Sequence, residues 1–214
     1  MRTLIASDIH LGAHHNRAAE FVKFLNQPFD RIILNGDTVD HCNLHRFSDA
    51  DWAVIRRLRQ VSTSLTLIRG NHDHKGLEEL LGVIAVDQRV VRVGHQAYLV
   101  LHGHKYDKTL TMTRVADVVD WLYCSLQFCL PDAAHALKVV SKGWLGTVAA
   151  VRAGALKEAR TFGFGGVICG HTHYREDLTV DGVRYINTGC WMGKETTWIE
   201  IIDGELTCHH VEAK

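Results

Sequence analysis

Short apolar runs that stop at Gly or Ser and then turn polar recur along the chain. Five of them read Leu4 to His10 (LIASDIH), Ile32 to Asp40 (IILNGDTVD), Leu67 to His74 (LIRGNHDH), Tyr98 to His104 (YLVLHGH) and Val167 to His173 (VICGHTH). Each begins as a buried strand and ends in Asp, Asn or His, and α/β proteins bind ligands just past the carboxyl ends of such strands. The first three strands are expected at Thr3–Ser7, Arg31–Leu34 and Leu65–Arg69. Helical spacing fills the intervals: Asn16–Leu25 with Phe21, Phe24 and Leu25 on one face, Asp51–Gln60 with Trp52, Ile55 and Leu58 inward, and Gly76–Leu81. A hairpin of Arg89–Val93 and Gln96–Leu101, turning at Gly94-His95, then changes a simple alternation into two sheets. From Lys105 to Arg160 the pattern is helical, with Val115, Val118, Val119, Leu122, Tyr123 and Leu126 on a broad apolar face. A strand at Phe164–Cys169 precedes a meander of Leu178–Val180, Val183–Asn187, Thr196–Ile202 and Leu206–Val211, whose Asp181-Gly182 and Asp203-Gly204 pairs are hairpin turns. The expectation is an α/β domain over 1–214 with a helical insertion at about 105–160.

Composition narrows this picture. A length of 214 residues suits one domain with a small insertion. The balance of 24 basic and 24 acidic residues gives no global sign of a nucleic-acid partner, and none is expected. The insertion, however, carries eight Lys or Arg against five acids. It reads either as a solvated helix pair or as a lid that grips an anionic, partly apolar substrate or lies against a membrane surface. Six cysteines without a C-x-x-C pair favour reduced thiols and a cytoplasmic location. The strand motif at the N-terminus leaves no room for a leader, and no apolar run is long enough for a membrane span. Fifteen histidines are the figure that changes the reading, because imidazole is the commonest metal ligand and the usual acid or base near neutral pH.

The five tips supply the chemistry. In an extended chain residues i and i+2 share a side, so Asp8 with His10, and His171 with His173, can each face one ion. Asp37 follows Gly36, where the backbone turns tightly beside a ligand. Asn71 offers a neutral amide oxygen, His72 lies next to it, and Asp73 is placed to hold that imidazole in one tautomer. His102 follows its strand directly and is preferred as a ligand to His104. Asp40, His41, His45 and Arg46 read as groups supporting the ligands from behind or as a substrate-facing loop rather than as ligands, and Arg175 and Lys194 read as phosphate contacts or surface charges. Two Asp, one Asn and four His without a thiolate suit Mn²⁺, Fe²⁺, Zn²⁺ or Co²⁺. Seven ligands exceed one tetrahedral ion, whereas two ions about 3.5 to 4 Å apart and bridged by a carboxylate are a known device for displacement at phosphorus.

The set SDIH, NGDTVD, RGNHD, LHGH and CGHTH, in this order, resembles the calcineurin-like metallophosphoesterase superfamily. The resemblance implies a four-layer α/β/β/α sandwich and two divalent cations, Mn²⁺ foremost. It places one metal on Asp8, His10, Asp37 and His173 and the other on Asp37, Asn71, His102 and His171, with Asp37 bridging. It also implies that His72 contacts the scissile phosphate or protonates the leaving oxygen, oriented by Asp73. The insertion, the run KEARTFGFGGVICGHTH and the ending DGVRYINTGCWMGKETTWIEIIDGEL resemble the UDP-2,3-diacylglucosamine hydrolase family and its relatives. That likeness implies cleavage of a UDP-linked diacyl sugar to UMP and a lipid phosphate at the inner membrane face. His104, Cys190 and His72 depart from the pattern of many of these relatives, which favours the broader group. A nucleotide or phosphoprotein phosphodiesterase or phosphatase, and a non-catalytic metal-binding scaffold, are the alternative readings. An apolar channel lined by Trp121, Leu122, Leu126 and Trp144 would mark a lipid substrate.

Overall fold

The computed structural model describes residues 1–41, 43–107, 142–193 and 195–212. Strands β1 (Arg2–Ala6), β2 (Arg31–Asn35), β3 (Leu65–Ile68) and the two-residue β4 (Ala85–Val86) pair in parallel. A second sheet holds β5 (Gln88–Val93), β6 (Gln96–Leu101), β7 (Gly166–Cys169), β8 (Glu176–Val180) and β9 (Val183–Asn187), in the order β5-β6-β7-β9-β8. The chain then returns to the first sheet, where β10 (Glu195–Ile202) and β11 (Glu205–Glu212) complete the order β11-β10-β1-β2-β3-β4. Helices α1 (Ala18–Leu25), α2 (Asp49–Gln60) and α3 (Lys75–Leu81) cover the outer face of the first sheet, and α4 (Lys142–Thr161) covers that of the second.

The period of two in the strands is what divides this molecule into layers. Leu4, Ala6, Ile32, Leu34, Leu65 and Leu67 pack towards α1–α3 with Phe21 and Leu58. Their neighbours Ile5, Ile33 and Ile68 face the other way and meet Tyr98, Val100, Ile168 and Ile186 between the sheets. On the second sheet Leu99, Leu101, Val167 and Tyr185 point outward onto Val151, Ala155 and Ala159 of α4. Strands buried on both faces are therefore apolar throughout, as their runs imply. The expected α/β/β/α sandwich is the observed one.

Element ends differ from the periodicity where side chains cap the backbone. Helix α1 starts at Ala18 because the Asn16 side chain accepts the Ala18 N–H at 3.1 Å. Helix α2 starts earlier than expected, at Asp49, behind a reciprocal cap in which Ser48 Oγ accepts the Asp51 N–H and the Asp51 carboxylate accepts the Ser48 N–H. Residues 104–106 form one tight 3₁₀ turn, so continuous helix does not begin at Lys105. The remainder of the expected insertion helix, with Val115, Val118, Val119, Leu122, Tyr123 and Leu126, lies outside the described residues up to Lys142. Among the described residues no helix is long and apolar enough to cross a membrane.

Candidate metal centre

Parallel pairing of β1, β2 and β3, and of β6 with β7, sends five polar tips to the same side of the sandwich. The tips are not extended. Asp8, His10, Asp37, His171 and His173 all have left-handed backbone, with φ of 54°, 49°, 51°, 70° and 57°. Asp and His tolerate this region better than most residues, yet each such position costs on the order of 1 kcal/mol and persists only where the surroundings enforce it. Backbone bonds from Asp8 N to Gly36 O, His10 N to Asp37 O and Trp191 N to Asp8 O, each 3.0 Å, supply that enforcement. The expectation that Asp8 and His10 share a side through an extended chain is thus corrected. Both converge, but through alternate left-handed residues.

Six of the seven expected ligands gather into two groups, Asp8 with His10 and His173, and Asp37 with His102 and His171. His171 and His173 therefore separate, although their spacing alone places them together. The Nε2 atoms of His10 and His173 approach to 3.0 Å, and His173 Nε2 lies 3.2 Å from Asp8 Oδ1. Asp37 Oδ2 stands between the groups, 3.2 Å from His102 Nε2 and 3.8 Å from His10 Nε2. Asn71 is exposed at the end of β3, between residues whose backbone N–H groups bond Asp73 and Asp37.

Neighbouring groups orient these side chains. His102 Nδ1 donates to the Asn35 carbonyl at 2.8 Å, which turns Nε2 towards Asp37. His171 Nε2 lies 3.0 Å from Asp107 Oδ2, a buried carboxylate that sequence reading counted only among the charges of the insertion. His10 Nδ1 lies 3.4 Å from Asp40 Oδ1, so Asp40 joins His10 and His72 in a third cluster. The expected Asp73–His72 contact is not made. Asp73 instead accepts the N–H groups of Thr38, Val39 and Gly70, and the Asp40 carbonyl holds His72 Nδ1 at 3.0 Å. Short-range adjacency suggested the first pairing, whereas the turn after β3 commits Asp73 to backbone donors.

Close packing of the tips depends on glycine, at Gly36 and Gly70 among others. A Cβ on Gly36 would fall 2.3 Å from His102 Nδ1, and one on Gly70 would fall 2.1 Å from Asp37 Oδ1 and 2.2 Å from Asp37 N. The Gly70 clash includes backbone and cannot be relieved by a rotamer change. Gly70→Ala should therefore displace Asp37, lower stability by about 1–3 kcal/mol and weaken divalent-metal uptake. Unchanged urea midpoint and metal content would exclude that account.

The donor set fits divalent cations. His102 Nε2 is buried and makes no well-aligned hydrogen bond, facing the Asp37 carboxylate at 3.2 Å, as a nitrogen reserved for a cation would. Burial opposes protonation of His102, but Asp37 and Asp8 overcome it and lift its pKa to about 10. His10 is likewise raised despite its burial, by Asp40, Asp37 and Asp8. Burial would raise Asp8, yet His173 and His102 bring it down to about 2, and the imidazoles hold Asp37 well below the usual carboxylate range. A pocket that draws protons onto buried imidazoles carries surplus negative charge, which cations satisfy with the same nitrogens as ligands. His104 is the opposite case. Burial and the neighbouring His102 and His171 push it to about 4, and its ring lies 5.5 Å from that of His102.

Residues outside these groups have plainer places. His14 is exposed and stacks on His15, and His210 is exposed while His209 stacks on Trp198. Arg175 lines a cavity of about 350 Å³ between the sheets with Asp177, Thr188, Trp198 and Cys208. Lys194 lies outside the described residues.

Solved structures share the fold at low identity. Vps29 of Chaetomium thermophilum is 14% identical with a TM-score of 0.58, over all of this chain and 89% of its own. YfcE of E. coli, described as a phosphoesterase, is 16% identical with a TM-score of 0.57 over the whole of both chains. An archaeal phosphodiesterase is 17% identical with a TM-score of 0.53, also over both chains entirely. These likenesses show a common fold. No curated protein matches the chain in sequence. The sequence model of one family matches residues 1–175, which include all five tips, and the chain accordingly belongs to the calcineurin-like phosphoesterases, a family of dinuclear metal-dependent phosphoester hydrolases.

Proposed function

We propose that the protein hydrolyses a phosphoester or pyrophosphate with two divalent cations, one held by Asp8, His10, Asp37 and His173 and the other by Asp37, Asn71, His102 and His171. The observation that carries this reading is Asp37, whose Oδ2 faces an imidazole of each group at 3.2 and 3.8 Å. Bound there, two cations would neutralise phosphoryl oxygens and lower the pKa of an attacking water. Mn²⁺ suits the mixed oxygen and nitrogen donors. His72 is exposed at the edge of the site. A carbonyl only accepts, so the 3.0 Å contact with Asp40 O puts a hydrogen on His72 Nδ1 and leaves Nε2 to exchange a proton with the leaving oxygen. Asp40 is the positioning residue for both His10 and His72. Asp73 acts one step further back, by fixing the turn that presents His72.

For the substrate we favour a UDP-linked diacyl sugar, cleaved to UMP and a lipid phosphate, with the insertion as a lid at the inner membrane face. Trp144 supports this. Its indole donates to the Thr172 carbonyl at 3.2 Å, between His171 and His173, and its ring meets Tyr174 edge-on at 5.1 Å. The start of α4 thus sets an aromatic pair at the mouth of the site, with Leu145 exposed beside it. Trp121, Leu122 and Leu126 of the expected channel lie outside the described residues. Phosphorus NMR of products from the Mn²⁺-loaded protein and the UDP-linked diacyl sugar is the test. UMP and lipid phosphate appearing only with metal support the full reading. Survival of that substrate while a simple phosphodiester is cleaved would transfer the site to a nucleotide or phosphoprotein substrate, and no turnover of either by a fully metal-loaded protein would favour the scaffold.

A further inference from the structure

Asp8 is fully buried, and its two oxygens are treated differently by the protein. Oδ1 faces His173 Nε2 at 3.2 Å and His10 Nε2 at 3.9 Å. The His171 N–H is shared by both oxygens, at 3.0 Å from Oδ2 and 3.2 Å from Oδ1, and Oδ2 alone also accepts the hydroxyl of Ser7. Ser7 Oγ also touches Thr188 Oγ1, and both residues are buried. Ser7 follows β1 in the first sheet and Thr188 follows β9 in the second, 181 positions apart. The pair is therefore a polar contact between the two sheets, behind the metal site.

Counting protons gives the contact a direction. An ionised Asp8 can only accept, so its close contact with Ser7 Oγ requires the single Ser7 hydroxyl proton, and the Gly189 carbonyl at 3.3 Å is a much weaker competitor for it. The contact between Ser7 and Thr188 must then be one that Ser7 accepts. Thr188 Oγ1 also lies 3.0 Å from the Cys169 carbonyl, which receives the Thr188 N–H at 2.8 Å and can accept a second hydrogen, but a proton spent there would leave Thr188 Oγ1 and Ser7 Oγ in contact with none between them. The chain runs from Thr188 Oγ1 to Ser7 Oγ to Asp8 Oδ2. Each donation polarises the next hydroxyl, which strengthens the bond to the carboxylate. Gly170 admits this packing, since a Cβ there would stand 2.5 Å from both Ser7 Oγ and Asp8 Oδ2.

We infer that Ser7 and Thr188 are positioning residues for the metal centre: their directed hydroxyl chain ends on Oδ2 and fixes the rotation of Asp8, so that Oδ1 is presented to the cation shared with His10 and His173. Groups that hold a ligand in this way typically govern metal affinity by 10- to 100-fold. The inference rests on reading Asp8 as a ligand.

Calorimetric titration of the metal-stripped full chain with Mn²⁺, alongside its EPR spectrum, tests it. Wild type should take up two equivalents. Ser7→Ala should weaken one of them by about 10- to 100-fold and leave the other near its wild-type affinity, a selectivity that a general loss of structure does not produce. Thr188→Val should act on the same equivalent, by about tenfold, whereas Thr188→Ser should restore it. Because Thr188 works only through Ser7, adding Thr188→Val to Ser7→Ala should cost nothing further. The Thr188 pair carries the test even if Ser7→Ala fails to fold. Wild type that binds no Mn²⁺ overturns the reading of the site and the chain with it. Two tight equivalents in wild type with unchanged affinity in Ser7→Ala or Thr188→Val, or additive losses in the double variant, overturn the chain alone.

Discussion

Asp37→Ala should release both metal ions and abolish hydrolysis, the largest effect expected of any single replacement. Asp37 is almost wholly buried, and its two oxygens have separate tasks. Oδ1 accepts the His72 N–H at 2.9 Å and ties the β3 tip to the β2 tip, while Oδ2 faces His102 and His10. Removing the carboxylate takes away the one ligand common to the two proposed sites. It also removes a large part of the field that raises His102, so the surplus negative charge attracting cations falls. Asp37→Asn separates charge from shape. It preserves an oxygen for the His72 N–H, should keep the fold, and should still lose tight binding at both sites. Metal content by atomic emission after dialysis reads the result directly, and a folded Asp37→Asn protein retaining two tight equivalents would falsify the bridging role.

The second large effect is on rate without loss of metal. His72→Ala should lower kcat by roughly 10²- to 10⁴-fold, the usual scale for proton transfer by a positioned side chain. Metal content should stay near two equivalents, because the backbone N–H of residue 72 still donates to Asp37 after the imidazole is gone. The loss should depend on the leaving group. A substrate that releases an alkoxide needs the proton, whereas one that releases a nitrophenolate does not, and the deficit should shrink with the latter. An equal loss on both would assign His72 to phosphate contact rather than proton transfer, and unchanged turnover would remove it from the mechanism.

Much of the site is visible in the order of polar tips, and what escapes has a separate physical cause in each case. Asp8, His10, Asp37, His102, His171 and His173 each follow an apolar run, so their position past a strand end is a local property. Asp107 was passed over because it stands five residues beyond His102, in what reads as helix, and only the turn at 104–106 carries it back to His171. Adjacency points Asp73 at His72, but its oxygens go to backbone donors of the β2 tip and of its own turn. Strand β4 was missed because two residues carry no period.

The sequence by itself determined the alternation of strands and helices, the two-sheet class and the chemical character of the tips, because periods of 2 and 3.6 and the residues that end them act over a few positions. Tertiary structure decided which tips meet. His10 and His173 lie 163 positions apart, and Ser7 and Thr188 181 apart, so no local pattern relates them. It also decided the left-handed turns that part His171 from His173, since the His171 N–H is held by the Asp8 carboxylate and the Gly170 N–H by the His102 carbonyl, groups that other tips bring. Local patterning sets which face a side chain takes, whereas convergence on a shared cation depends on strand register across two sheets.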